Sequence, residues 1–509
     1  MSLYALRRRT AMARKQNPAL PRRMITGLLA IILVMGYLVQ TDREFPRLLI
    51  AIMSLFGAMV VFSMGLRKPE IPLYALVAYL PFSKLLAGDF GGIMMALNLT
   101  NILIVIVLVC YTSNAATEGQ LKFESHLLHG PVFLMVLWGI IALAVACAQH
   151  PGVYPARAIP EFKRWLDPFL VYFLVFHVVH TPQRWKGVVA VLMIGVTIVA
   201  LMATHDYMTV REGTSLEKAR IGGIADQPNI LGAFFVYYMY IFAAFWLERM
   251  KQPRAWLWLI PFGLCFRGIM VTFSRGAYLA FAQGLMGLAF FKHKMLFLLA
   301  CGALLFAVLN PSVLPEGIRY RIMTTFHGDQ TQLADAYSQG NPEQELDKSA
   351  GMRVIIWRSA GQMIQEHPWF GVGLTRFPIK IQEYMPAAYS KYIDAHNAYI
   401  ITAAEMGIPA CVIFLLTILT LFYVTSVVRT HHPDAFIRTT ALGFLGGLSG
   451  LLMANMFGSR LNSIEVSGYF WILAALMARA FLWAREERAK KRRAPRQRFA
   501  PSPIRSATA

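Results

Sequence analysis

The sequence predicts an all-α polytopic membrane protein with about 12 to 14 transmembrane helices and one large periplasmic loop. Two observations carry that expectation. Of the 509 residues 57% are hydrophobic and only 15% charged, and the apolar residues come in long uninterrupted blocks. A helix needs about 20 apolar residues to cross a hydrocarbon core ~30 Å thick, and block after block meets or nearly meets that length. The charges, moreover, are sorted to alternate ends of the blocks.

In chain order the apolar stretches run roughly over 24–40, 48–66, 71–88, 98–112, 131–149, 165–180, 187–204, 229–247, 255–273, 276–291, 295–313, 396–427, 438–457 and 463–483. They divide the chain into a basic tail (1–23), helices 1–11 (24–313), a polar loop (314–395), helices 12–14 (396–483) and a second basic tail (484–509). The first stretch follows Arg22 and Arg23 and leads into Thr41, Asp42, Arg43 and Glu44 without a small-x-small cleavage pattern. It is therefore expected to stay as the first helix.

A net charge of +22 would suit nucleic-acid binding if it were spread over one face. It is not. With the N-terminus inside, segments 1–23, 67–70, 113–130, 180–186, 248–254, 291–294, 428–438 and 479–509 hold 29 Lys and Arg against 7 Asp and Glu, and the rest of the chain holds 20 of each. The whole excess lies on one side, as the positive-inside rule expects. The implied partner is the lipid bilayer of an inner membrane, with both termini cytoplasmic and no nucleic acid. Cys110, Cys147, Cys265, Cys301 and Cys411 all fall in apolar stretches, which points to packing and not to disulfides.

An odd-numbered helix ends outside, so the loop over 314–395 is expected in the periplasm. Its first part, from Gly328, is acidic and rich in Gln. Its second part, from Ala350 to Glu366, spaces Val354, Ile355, Trp357, Met363 and Ile364 as an amphipathic helix does, with His367 and Pro368 to end it and Gly371 and Gly373 to turn the chain. Shorter outer loops are expected over 150–164 and 205–228.

Four polar stretches cap the outer ends of the apolar blocks: RIGGIADQPN from Arg220, TFSRG from Thr272, RVIIW from Arg353 leading to HPWFGVGLTRF from His367, and HNAYIITAAEMG from His396. Independent helix ends would divide between the two faces, yet all four fall on one. HN-x-Y…E-x-G after a large outer loop, R-x-x-x-W…HP-x-x-GVG before it, and SRG closing an earlier helix resemble the O-antigen ligase family of membrane glycan transferases, over roughly residues 220 to 410. The family includes related polysaccharide polymerases and protein O-oligosaccharyltransferases. The resemblance implies a C-type glycosyltransferase fold, an undecaprenyl-diphosphate-linked glycan as donor, and transfer without a metal ion or other cofactor. It also implies a histidine base and arginines that hold the diphosphate.

The residue types suit that chemistry on their own terms. An acceptor hydroxyl must lose its proton, which a histidine takes near neutral pH, and a departing diphosphate needs cations, which guanidinium forks match. His396 is accordingly the expected base, with Arg220, Arg275 and Arg353 as diphosphate ligands. Each has an ordinary alternative: a helix cap at His396 and Asn397, and interfacial charges at the arginines. No DxD pair or carboxylate cluster marks the outer face, which disfavours a magnesium-assisted route. Arg267 and Glu405 lie eight and nine residues inward from Arg275 and His396, about 12 to 14 Å at 1.5 Å per residue, and a supporting ion pair between them is expected.

The favoured function is transfer of a preassembled glycan to a lipid A-core acceptor. The alternatives are an O-antigen or exopolysaccharide polymerase, a protein O-oligosaccharyltransferase and, in another class, a glycolipid flippase or transporter. A transporter would place its polar residues near the midplane and show related halves, and neither is visible in the sequence.

Overall fold

A computed structural model describes residues 47–86, 98–117, 124–210, 219–314, 319, 348–385, 394–458, 461 and 463–493. The first basic tail, the first apolar stretch, the Gln-rich part of the loop and the end of the second basic tail lie outside the described residues. The described chain is helical, with no strand. Its main helices are α1 (Arg47–Gly65), α2 (Glu70–Tyr79), α3 (Leu99–Thr117), α4 (His129–Gln149), α5 (Val153–Val178), α6 (Pro182–Met208), α7 (Pro228–Tyr238) and α8 (Tyr240–Arg249). They continue with α9 (Leu259–Val271), α10 (Arg275–Lys292), α11 (Lys294–Leu309), α12 (Lys348–Glu366), α13 (Ala398–His431), α14 (Ala435–Met456) and α15 (Ile464–Arg493).

Eight helical segments among the described residues are long and apolar enough to cross a membrane, α7 and α8 together forming one of them. Three further apolar helices, Ser54–Gly65, Glu70–Phe82 and Lys294–Leu309, are shorter. Two boundaries differ from expectation. The outer loop over 150–164 is mostly the charged first half of α5, whose amphipathic run lacks the hydropathy of a span. The last helix runs on to Arg493, well past 483, because Arg485 to Arg493 are strong helix formers with no breaker among them.

Burial identifies the centre of the bundle. The apolar windows of α15, of α7 with α8, and of α14 are 89%, 83% and 78% buried, against 28% for α4, which therefore sits at the periphery. Close approach makes this possible. A Cβ on Gly447 of α14 would stand 2.1 Å from the Tyr237 carbonyl oxygen, and one on Gly443 2.4 Å from Ile241 Cα, so α14 lies against the backbone of α7 and α8.

Side-chain contacts sort the helix ends into two sets. At one end Arg184 meets Glu70 at 3.0 Å, Lys186 meets Asp434 at 2.5 Å, and Arg429 and Lys292 meet Glu248 at 2.7 and 3.0 Å. Arg479 pairs with Glu124 at the same end. At the other end Lys84 reaches the Ala225 carbonyl at 3.0 Å and Asp226 at 3.2 Å, and Tyr399 on α13 donates to the Leu452 carbonyl on α14 at 2.9 Å. This second set contains His396.

A small second core caps the His396 end. Met352, Ile356, Ala360 and Met363 form the buried stripe of α12 and pack with Val372, Phe377, Ile381, Ala395 and Ala404. The stripe is rotated by one position from the expected one, since Val354, Ile355, Trp357 and Ile364 are only partly buried.

Candidate functional site

Two of the four polar stretches meet through their side chains. Arg220 donates from Nε to the Thr272 carbonyl and from Nη2 to Asn229 Oδ1, both at 3.0 Å, and Ser274 Oγ donates to the same Asn229 oxygen at 2.8 Å. The Ile221 N–H adds a backbone bond to the Val271 carbonyl at 3.2 Å. Asn229 is the second residue of α7 and Ser274 the residue before α10, so two helix N-termini are drawn together. Arg275 is the first residue of α10. A cation there faces the positive end of the helix dipole, an arrangement unfavourable by about 0.3–1 kcal/mol and reversed by an anion.

Contacts lead from this cluster to the other two stretches. A Cβ on Gly276 would lie 2.9 Å from Phe457 Cβ, and the Phe457 ring lies 6.5 Å from the ring of Trp357 on α12. The Trp357 indole N–H donates to the Ala395 carbonyl at 2.8 Å, next to His396. Arg353 is half-buried one turn before Trp357, on the same side of α12.

His396 sits in an unusual backbone state, with φ at +47°, which costs about 1–2 kcal/mol for an L residue. The following Asn397 caps α13, its Oδ1 accepting from the N–H groups of Tyr399 at 2.9 Å and Ile400 at 3.1 Å. Both oxygens of Asp394 face His396: Oδ1 accepts from its backbone N–H at 3.0 Å, and Oδ2 stands 3.0 Å from ring Nδ1. The two atoms are close enough for a hydrogen bond, but the approach is too bent to make one.

The motif HPWFGVG has a clear structural reason. Gly407, at φ +86° and ψ +166°, breaks α13, and Pro409 follows it. The backbone groups freed by the break are taken up from outside. Val372 N–H and Gly373 N–H donate to the carbonyls of Ala404 and Glu405 at 2.9 and 3.0 Å, and Ile408 N–H donates to the Pro368 carbonyl at 2.8 Å. Trp138 of α4 donates to the Met406 carbonyl at 2.9 Å. A Cβ on Gly407 would stand 1.9 Å from the Trp369 carbonyl oxygen, so only glycine lets the loop dock.

The expected Arg267–Glu405 pair is not formed. Glu405 is buried against the docked loop, its carboxylate accepting from the backbone N–H groups of Thr375 and of Phe377, the latter at 3.3 Å. Arg267 is exposed on α9 with its guanidinium 5.0 Å from the centre of the Tyr207 ring. The two residues belong to helices with different neighbours: α9 packs on α6 and α7, and α13 on α14, α4 and α15.

Sequence reasoning passed over Asn229, Ser274 and Asp394. The acid two residues before His396 was a visible signal. The joining of α7 to α10 by Asn229 and Ser274 was not, because it depends on which helices are neighbours. Among the described residues no group of three or more His, Cys, Asp or Glu is placed to hold a metal ion.

Residues 260–415 match the family model described as O-Antigen ligase, a stretch running from α9 into α13. It contains three of the four polar stretches, and the fourth, Arg220 to Asn229, is bonded to it through Thr272 and Ser274. No curated protein matches the chain. The match agrees with the resemblance read from the motifs and shows it for residues 260–415.

Proposed function

We propose, from the premise that residues 260–415 form an O-antigen ligase domain, that this chain transfers a preassembled glycan from undecaprenyl diphosphate to an acceptor hydroxyl. The acceptor is a lipid A-core and the enzyme acts at the periplasmic face of an inner membrane, with the excess of Lys and Arg left in the cytoplasm. The observation that carries this reading is the pair of helix N-termini at Asn229 and Ser274, with Arg220 and Arg275 beside them, at the same end of the bundle as His396.

In the reaction the acceptor oxygen attacks the anomeric carbon of the donor while His396 takes the hydroxyl proton. A new glycosidic C–O bond forms as the C–O bond to phosphate breaks, in a single displacement with inversion. The electron pair leaves with the undecaprenyl diphosphate, whose charge meets Arg220, Arg275 and the two helix N-termini. Arg353 is a further ligand from the capping segment. The guanidinium groups supply the charge a divalent metal would otherwise bring, and the route is metal-independent. Glu405 and Asn397 support the site by docking the loop and capping α13.

The test is transfer by the purified enzyme from a lipid-linked glycan, with donor affinity measured separately. His396→Ala should lose about 10²–10⁴-fold in turnover with donor binding nearly intact, because the base acts only on the acceptor proton in the transition state. Arg275→Ala should weaken donor binding as well, and Arg275→Lys should recover part of it, since an ammonium brings charge without the bidentate fork. Near-normal turnover in His396→Ala would end the base assignment. A product that grows by further lipid-linked units, in place of glycosylated lipid A-core, would move the chain to the polymerases of the same superfamily.

A further inference from the structure

We propose that Asp394 is the positioning residue for His396: its carboxylate holds Nδ1 inward and protonated, so that Nε2 faces the acceptor as the base. The proposal rests on the transfer reading above and adds a residue to it.

Three observations lead here. Asp394 engages His396 twice, once at the backbone N–H and once at the ring, so a single carboxylate fixes both the left-handed turn and the imidazole. Ring Nδ1 is buried, yet the His396 side chain is 31% exposed, so the part of the side chain left open excludes Nδ1. The peptide between the two residues is held from the other side by the Trp357 indole on the Ala395 carbonyl. Asp394, His396 and Asn397 thus form one local device of orienting acid, base and helix cap.

The chemistry follows from donor and acceptor inventory. A neutral imidazole has one N–H and one lone pair, and an ionised carboxylate only accepts. With Asp394 against Nδ1, the hydrogen must sit on Nδ1 and the lone pair on Nε2. When Nε2 takes the acceptor proton, the imidazolium that forms stands beside the Asp394 charge, which stabilises it without itself being protonated. Catalytic hydrogen bonds often straighten only in the reacting complex, which accommodates the bent Nδ1 approach.

The experiment uses the full-length purified enzyme and a lipid-linked glycan donor. Asp394→Asn keeps an oxygen for the His396 N–H but turns an NH2 toward Nδ1, which forces the hydrogen onto Nε2, the wrong tautomer for a base. Turnover should fall on the order of 10²-fold or more, with donor KM within about threefold of wild type. Asp394→Glu should recover at least part of the lost turnover, and it carries the same comparison if the Asn variant does not fold. The decisive arm is Asp394→Asn in the His396→Ala background, where no further loss is expected. A merely structural role would lower residual activity equally in both backgrounds, and that result overturns the proposal. Near-wild-type turnover in Asp394→Asn while His396→Ala is inactive overturns it alone; normal turnover in both variants overturns the transfer reading with it.

Discussion

The two ends of this helical bundle are built on different principles. At one, ion pairs tie segments distant in the chain several times over, as in Arg184 with Glu70, Lys186 with Asp434 and Arg479 with Glu124, where the other end has Lys84 with Asp226. At the other stand all four non-glycine residues of positive φ among the described residues: Asp226 at 52°, Phe273 at 47°, Thr375 at 65° and His396 at 47°. Strained backbone persists only where the surroundings over-determine it, and it gathers where a site must present particular atoms. The ion-paired end stapled by salt bridges sets the helices; the strained end presents Arg220, Arg275 and His396.

If that division is correct, damage at the paired end should cost stability and spare turnover. The largest such effect is expected at Arg479, which is 3% exposed, donates to the Phe176 carbonyl from Nη2 at 2.6 Å and from Nε at 3.1 Å, and lies 4.1 Å from the centre of the Phe176 ring. Arg479→Met leaves that carbonyl unsatisfied. The loss should be about 2 kcal/mol, below the ~3–5 kcal/mol of a fully buried pair because the Glu124 side chain is 43% exposed. Thermal unfolding in detergent measures it, and transfer per folded molecule should stay near wild type. Lost turnover at unchanged stability would break the comparison.

A smaller effect is expected at the strained end. Asn397→Ala removes the acceptor for two N–H groups of α13 and should cost about 1 kcal/mol, with a modest fall in turnover as the His396 turn loosens. Asn397→Asp should restore both, since either side chain caps a helix well. Failure of Asp to rescue turnover while stability recovers would make Asn397 a substrate contact instead of a cap.

Depth along the bundle was legible in the sequence, and neighbourhood around it was not. Hydropathy and the sorting of Lys and Arg place helix ends, so the stretches at Arg220, Thr272, Arg353 and His396 were expected at one end, and their contacts do run from one to the next. The local HN-x-Y pattern also survives translation into geometry, because residues two to four apart stay together in any turn. What periodicity does not encode is which helix lies beside which. The bonding of α7 to α10 through Asn229 and Ser274, and the docking of HPWFGVG against the break at Gly407, depend on packing between segments far apart in the chain.

The smallest expected effect sharpens that lesson. Equal depth suggested that Arg267 and Glu405 are partners, in which case losing one would strand the other and the two losses would be strongly non-additive. The structure gives each its own surroundings: Arg267 stands over Tyr207, and Glu405 holds the loop through Phe377. Arg267→Met, Glu405→Gln and the double variant should therefore show additive changes in thermal stability, with a coupling within about 0.5 kcal/mol. Each single change should also be mild. Arg267 is exposed, and the Gln side chain keeps a carbonyl oxygen for the Phe377 N–H. A coupling above about 1 kcal/mol would mean that the two helices communicate across the bundle, and would return Arg267 to the support of the His396 end.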